Sequence, residues 1–358
     1  MEKLEVRKVN PSFWKGKRVF LTGHTGFKGS WLAIWLHQMG AIVKGYALAP
    51  NTSPSLFDTA NVKNLLYHQI GDIRDLDSLR QSMVEFDPQI LIHMAAQPLV
   101  RLSYTEPVDT YMTNVMGTVN VLESARSCGN LKSIVSVTTD KCYENKEWVW
   151  GYRENEPMGG YDPYSSSKGC AELVTAAYRN SFFNTDHAPA LASARAGNVI
   201  GGGDWALDRL IPDVVKAFNE KRPVVVRNPL ATRPWQHVLE PLSGYLMLAE
   251  SLFMEGKRFA DAWNFGPNDD DCKNVKWILD QMIDIWGDGV SWLLDENPQP
   301  HEARFLKLDC SKAKSDLKWE PKWSIGEVLK LINKWNLAFL SNKNMHEKCL
   351  EEINIYNN

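Results

Sequence analysis

Arg18, Val19, Phe20, Leu21 and Thr22 run directly into Gly23, His24, Thr25, Gly26, Phe27, Lys28 and Gly29, and these into the apolar stretch Ser30 to Met39. A short apolar run that ends in glycines and is followed by a longer apolar run reads as strand, tight turn and helix. Glycine at 23, 26 and 29 permits the turn, lets backbone approach a pyrophosphate closely, and lets the helix lie close on the strand. The start of the helix would offer free amide groups to an anion. Such spacing alone is weak evidence. Its position at the head of a strand-helix-strand unit is what makes dinucleotide binding its reading.

The same alternation continues outward from this segment. Strands are predicted at Arg18 to Thr22, Ala41 to Ala47, Tyr67 to Ile70, Ile90 to Met94, Lys132 to Thr138 and Ala190 to Ala196. Helices fit between them at Lys28 to Met39, Asp75 to Phe86, Thr113 to Ser127 and Pro163 to Asn180. Alternating strands and helices build a parallel sheet covered on both faces. The fold class is therefore α/β: a doubly wound Rossmann-type parallel sheet with a smaller, mixed α/β C-terminal substrate domain. The sheet domain is assigned to residues 1–199, with later segments returning to it, and the substrate domain mainly to 200–340. The second region is marked by proline- and glycine-bearing stretches at Gly201 to Asp204, Arg227 to Pro234 and Asn297 to Pro300. Residues 341–358 read as a polar, partly helical tail.

With 358 residues the chain can bury a large core, and 44% hydrophobic with 23% charged residues is the balance of a globular enzyme. A formal charge of -3 gives no electrostatic case for nucleic acid. No apolar run reaches bilayer length and Met1 to Asn10 carries no signal-peptide core, so a cytoplasmic protein is expected, without membrane partners. The six cysteines lack metal-ligand spacing, so reduced thiols and no metal are expected. Trp31, Trp35, Trp277 and Trp286 sit at helical spacings among apolar residues and read as core.

Asp162 and Pro163 look like a helix cap and a first-turn proline, which puts Tyr164 and Lys168 four residues apart on one helical face. A tyrosine serves as a base near neutrality only if its phenolate is stabilised, and a lysine ammonium at that spacing supplies the field. Ser136 to Lys141 leaves the fifth strand into the crevice beyond the strand ends, where ligands of such sheets bind.

The glycine-x-x-glycine-x-x-glycine spacing, followed by this tyrosine-lysine pair, resembles the short-chain dehydrogenase/reductase superfamily in its extended form. That resemblance implies cofactor contacts at Gly23, His24, Gly26, Phe27, Lys28 and Gly29, an adenine-contacting pair at Asp72 and Ile73, and a loop beneath the cofactor at His93 to Gln97, including Ala95 and Ala96. Neither an acid nor an arginine stands in Ala47 to Pro50 after the second strand, so NAD is preferred to NADP, with Lys28 beside the phosphates keeping NADP open. Thr139 takes the place of the superfamily's catalytic serine or threonine, and Tyr164 and Lys168 complete that set.

Asp140 and Lys141 in a bland reading are a turn with an exposed ion pair. In nucleotide-sugar 4,6-dehydratases, however, the threonine is followed by an aspartate and then a general base, and Lys141 resembles the branch that acts on CDP-glucose. That resemblance implies oxidation at C4 with Tyr164 taking the O4 proton, then loss of water across C5 and C6, and return of hydride to C6. Asp140 would be the acid at O6 and Lys141, acting in its neutral form, the base at C5. The ketone acidifies the C5 hydrogen, which is why two groups of opposite protonation state must stand side by side.

Arg195 to Asp204 resembles the point where the family's last strand hands over to the sugar-nucleotide domain. The implied substrate contacts are Gln97, Asn198, Arg209, Arg233 and Arg304, the arginines suiting a pyrophosphate because a guanidinium donates two hydrogen bonds to one phosphate. A homodimer through the Tyr164 to Lys168 helix, or a dimer of dimers, is expected from the same likeness, as is a setting in deoxysugar synthesis for bacterial surface polysaccharide. The alternatives are a nucleotide-sugar 4-epimerase, which has no use for Asp140 and Lys141, a 4,6-dehydratase acting on another NDP-glucose, and a non-catalytic dinucleotide sensor.

Overall fold

Six parallel strands follow the alternation closely: β1 Arg18–Thr22, β2 Ile42–Ala47, β3 Tyr67–Ile70, β4 Ile90–His93, β5 Ser133–Val137 and β6 Ala190–Arg195. They come from a computed structural model that describes residues 6–287, 289–297 and 303–358. Met1 to Glu5 of the charged start, and 298–300 of the predicted Asn297 to Pro300 turn, lie outside the described residues. A seventh strand, Ala262–Asn264, joins β6, giving the order Ala262–Asn264, β6, β5, β4, β1, β2, β3. The order reverses between β1 and β4, and a crevice opens beyond the carboxyl ends of strands at such a switch point.

The central strands are buried on both faces, as continuous apolar runs in a parallel sheet require, while the edge strand β3 is largely exposed. Val19, Phe20, Leu21, Ile90, Leu91, Ile92, Ile134 and Val135 are all fully buried. The Phe27–Gln38 helix is apolar all round and presses the buried Trp31 and Trp35 into the same core. On its outer side lies the Met345–Asn357 helix, with Cys349, Ile353 and Tyr356 buried and Tyr356 Oη donating to Glu240 Oε2 at 2.6 Å. The segment read as a polar tail is thus mostly a packed helix, with Tyr356 hydrogen-bonded inside and the buried Glu352 3.6 Å from His237 Nε2.

The Leu239–Glu255 helix covers β5 and β6, so this part of the later sequence returns to the sheet. A second apolar cluster, including Ile211, Val214, Phe218, Val224, Ile278, Leu279 and Ile332, forms apart from the sheet core. Trp277 and Trp286 pack against it from half-buried positions. The predicted helix from Thr113 to Ser127 is divided into a π-helical turn, Met112–Met116, and a helix, Gly117–Ala125. Among the described residues no helix is long and apolar enough to cross a membrane, and no cluster of three metal-ligating side chains is found.

Candidate active site

At the switch point β1 ends in Thr22, paired with Tyr46 on one side and His93 on the other. Thr22 Oγ1 lies 2.7 Å from His93 Nδ1 and accepts from the amides of Met94 and Ala95 at 3.1 and 3.2 Å. These bonds hold the loop after β4 against the glycine turn. Gly23 has φ of +80° and a Cβ there would stand 2.7 Å from Ala95 N, while one on Gly29 would stand 2.0 Å from Gly23 O. Both glycines are needed for backbone-to-backbone contact. Gly26 caps the Phe27–Gln38 helix with no side chain, so its first amides face the crevice free. This cradle fits the pyrophosphate of a dinucleotide.

The crevice is the mouth of a cavity of about 1060 Å³. Gly23, Gly26, Phe27, Lys28, Gly29, Asp72, Ile73, Ala95 and Ala96 line one part of it, Thr139, Lys141, Tyr164 and Lys168 its middle, and Asn198, Arg209 and Arg233 the opposite wall. Most of the residues singled out from sequence are therefore brought together.

Tyr164 and Lys168 are positioned by the cap of their helix: Asp162 accepts from the amide of Ser165 at 2.9 Å and from its hydroxyl at 2.6 Å, with Pro163 in the first turn. Asn114 ties this helix to the loop after β4, donating to Ser167 Oγ at 2.9 Å and to the carbonyl of Gln97 at 3.0 Å. Burial pushes the Tyr164 phenol up to about 12, against a hydrogen bond with Thr139 that pulls it down. Burial lowers Lys168 to about 8, opposed by the carboxylate of Glu172. A lysine ammonium and a phenol held this way are each costly to charge alone and stabilise one another when both are charged.

Asp140 is fully buried just behind the wall that Thr139 and Lys141 form. Its Oδ1 accepts from Thr139 Oγ1 at 3.0 Å and lies 3.7 Å from Lys141 Nζ, and its Oδ2 has no hydrogen-bond partner among the described residues. Asn198, at φ of +41°, likewise has a buried Oδ1 without a partner there. Arg209 donates to Asp204 Oδ2 at 2.9 Å and Arg233 to the carbonyl of Thr232 at 3.0 Å.

Four expected site residues do not line the cavity: Asp140, which stands behind its wall, and His24, Gln97 and Arg304. The His24 ring turns behind β2, with Nε2 2.7 Å from His68 Nδ1, and it occupies the space a Cβ on Gly45 would need. Burial holds it neutral, lowered to about 3, so it adds no charge to the phosphate cradle. Gln97 folds its amide back onto Thr110 Oγ1 at 2.9 Å and the carbonyl of Leu99 at 3.1 Å. Arg304 is exposed and contributes its carbonyl, which accepts from Thr232 N at 2.8 Å. Lys28 lines the cavity with its stem, yet its ammonium donates to Tyr245 Oη at 3.0 Å, under the site rather than toward a 2′-phosphate. The sequence reading also passed over Asp213 and the Val224 to Asn228 wall, which carry no motif and reach the cavity only through the packing of the second apolar cluster.

A doubly wound parallel sheet, a glycine cradle at its switch point and a tyrosine-lysine pair on the crevice together define a short-chain dehydrogenase/reductase. More narrowly, the chain belongs to the GDP-mannose 4,6 dehydratase family, whose model matches residues 20–332. It is 59% identical to the CDP-glucose 4,6-dehydratase of Salmonella typhimurium, over 97% of this chain and 98% of that one. It is 23% identical to the dTDP-glucose 4,6-dehydratase of Haemophilus influenzae, over 89% of this chain and 97% of that one. Similar solved structures include a dTDP-glucose 4,6-dehydratase from Bacillus anthracis in complex with NAD, at a TM-score of 0.75 and 23% identity over 92% of this chain and 100% of that one. A UDP-glucose 4-epimerase from Thermotoga maritima, solved with UDP-glucose, matches at a TM-score of 0.79 and 22% identity over 90% of this chain and 99% of that one. These two likenesses concern the fold.

Proposed function

We propose that the protein is a hydro-lyase that converts CDP-glucose to CDP-4-dehydro-6-deoxy-glucose with NAD as resident cofactor. The observation that carries this reading is the run Thr139, Asp140, Lys141: Thr139 and Lys141 line the same cavity as Tyr164, and Asp140 stands directly behind them, bonded to Thr139, a combination an epimerase does not need. The 59% identical relative named for that reaction supports CDP-glucose.

When bound, the dinucleotide supplies a hydride acceptor at C4 and a hydride donor at C6. The glycine cradle and the free amides of the Phe27–Gln38 helix hold its pyrophosphate, and Asp72 and Ile73 its adenosine end. Tyr164, with Lys168 supplying positive charge, removes the O4 proton as Thr139 hydrogen-bonds the same oxygen. Lys141 then takes the proton from C5, which the 4-ketone has acidified, and Asp140 delivers a proton to the departing O6 hydroxyl. Asn198, Arg209 and Arg233 are assigned to the substrate's pyrophosphate.

A cytoplasmic homodimer or dimer of dimers completes the proposal. Exposed Leu102, Val108, Met112 and Leu173, on the helices beside Tyr164 and on the outer face of its own, form the kind of apolar patch that pairs with a second copy.

The experiment incubates the enzyme with CDP-, UDP-, GDP- and dTDP-glucose and follows the alkali-dependent ultraviolet absorbance of a 4-keto-6-deoxy sugar. CDP-glucose is expected to be the best substrate, and Lys141→Met to abolish solvent deuterium exchange at C5. Formation of a C4 epimer, or normal turnover by the variant, refutes the proposal.

A further inference from the structure

The wall of the cavity extends beyond what a dinucleotide and a hexose would cover. The glycine loop, Asp72 and Ile73 form one end and Tyr164 the middle, while the first turns of the Leu210–Asn219 helix and the Val224–Val226 strand form the far end. With the hexose beside Tyr164, the rest of a sugar nucleotide has to run toward that end. Arg209 stands close enough to Tyr164 to act on its phenol, and Asp213, whose amide donates to the carbonyl of Arg209 at 3.1 Å, is one helical turn further on.

The far end is lined by the buried Val224, Val226, Ala231, Trp235 and Val275, beside the polar Arg227 and Asn228. Such a slot suits a flat ring, and a carboxylate in it calls for a partner. The neighbouring acids have theirs. Asp204 binds Arg209 at 2.9 Å, and Asp208 binds Arg101 at 3.0 Å and lies 3.9 Å from Arg227. The Asp213 carboxylate makes no hydrogen bond or ion pair with any described residue, although it lines the cavity. Burial, and then the charge of Asp208, push it up to about 6 against the opposing charges of Arg227, Lys216 and Arg222.

The geometry points to Asp213 as the residue that selects the nucleotide base, its carboxylate accepting a hydrogen bond from the exocyclic amino group of cytosine. The inference rests on the substrate reading above and adds the group that enforces it. Cytosine presents an amino donor where uracil and thymine present a carbonyl oxygen. The same carboxylate therefore attracts the first and repels the other two, and selection comes from both terms.

The test measures kcat/KM for CDP-glucose and UDP-glucose with wild type, Asp213→Asn and Asp213→Ala at saturating NAD, together with the dissociation constants of CDP and UDP by calorimetry. Asparagine can donate to the uracil oxygen, so Asp213→Asn is expected to narrow the CDP-to-UDP preference by about tenfold or more, mainly through KM, with the two dissociation constants moving alike. Asp213→Ala is expected to weaken CDP-glucose with a smaller gain for UDP-glucose. A wild type that prefers CDP-glucose, with that preference unchanged in both variants, overturns the role of Asp213 and leaves the substrate reading standing. A wild type that prefers UDP-glucose overturns both.

Discussion

Arg195 Nη2 donates to Glu172 Oε2 at 2.7 Å, and both side chains are only 4% exposed. Glu172 also accepts from Ser193 Oγ at 2.7 Å and from Thr138, and Arg195 donates to Tyr143 Oη at 2.7 Å. The pair thus joins the helix of Lys168, one turn earlier, to the ends of β5 and β6, next to Thr139. Removing one partner of a buried pair leaves the other charged and desolvated. Arg195→Met is expected to lower stability by about 3–5 kcal/mol in urea denaturation. The double variant Glu172→Leu with Arg195→Met should lose less than the two single losses added together. Additive losses would show that the two groups are independent.

The lowered Lys168 sets a pH limit on activity. In the proposed mechanism its ammonium stabilises the Tyr164 phenolate, and burial, outweighing the pull of Glu172, lowers it to about 8. Above that value the lysine is neutral and the phenolate loses its support. The rate of 4-keto sugar formation should therefore fall as pH rises through about 8. Lys168→Arg, which stays charged, should be slower throughout yet lack this alkaline limb. An identical limb in the variant would assign the titration to another group.

Gly197 tests the placing of Asp140. A Cβ at 197 would stand 1.8 Å from Asp140 Oδ2, an overlap that can be relieved only by moving the carboxylate or the strand end beneath it. Gly197→Ala is expected to lower kcat by about a hundredfold or more, the scale of a lost acid catalyst, with KM for the sugar nucleotide changing far less. Circular dichroism and melting would confirm the fold. Full activity in the folded variant would show that Asp140 does not act from this position.

The sheet was legible because its central strands are buried on both faces and all are bounded by turns. The predicted limits of β1 and β3 match residue for residue, and the other four strands differ by one residue at one or both ends. The Ala262–Asn264 strand is too short to carry a period. The Leu239–Glu255 helix has no exposed stripe over its first fourteen residues, so it gives no amphipathic signal. The Met345–Asn357 helix reads as polar because its buried Glu352 and Tyr356 face His237 and Ser243, which are distant in sequence. At the site, Gly23, Tyr164 and Lys168 were legible since backbone turns and helical spacing fix where they point. His24, Gln97 and Arg304 lie in the expected segments but face elsewhere, a direction set by Gly45, Thr110 and the path of the loop.

Lys28 provides a stability test whose sign follows from its burial. Desolvation, then the charges of Lys168 and Arg209, lower it from 10.5 to about 7. A lysine whose folded value lies below its unfolded value contributes stability that is present above about 10.5 and is lost as pH falls, completely below about 7. Near pH 6 the fold thus bears the full cost of an ammonium whose one hydrogen bond among the described residues runs to Tyr245. Methionine keeps the length of the stem and removes the charge. Without added dinucleotide, Lys28→Met should raise Tm by about 2 °C or more near pH 6, and the gain should shrink toward about pH 10. A shift independent of pH would mean that the ammonium is solvated in the folded protein and that its contact with Tyr245 is incidental.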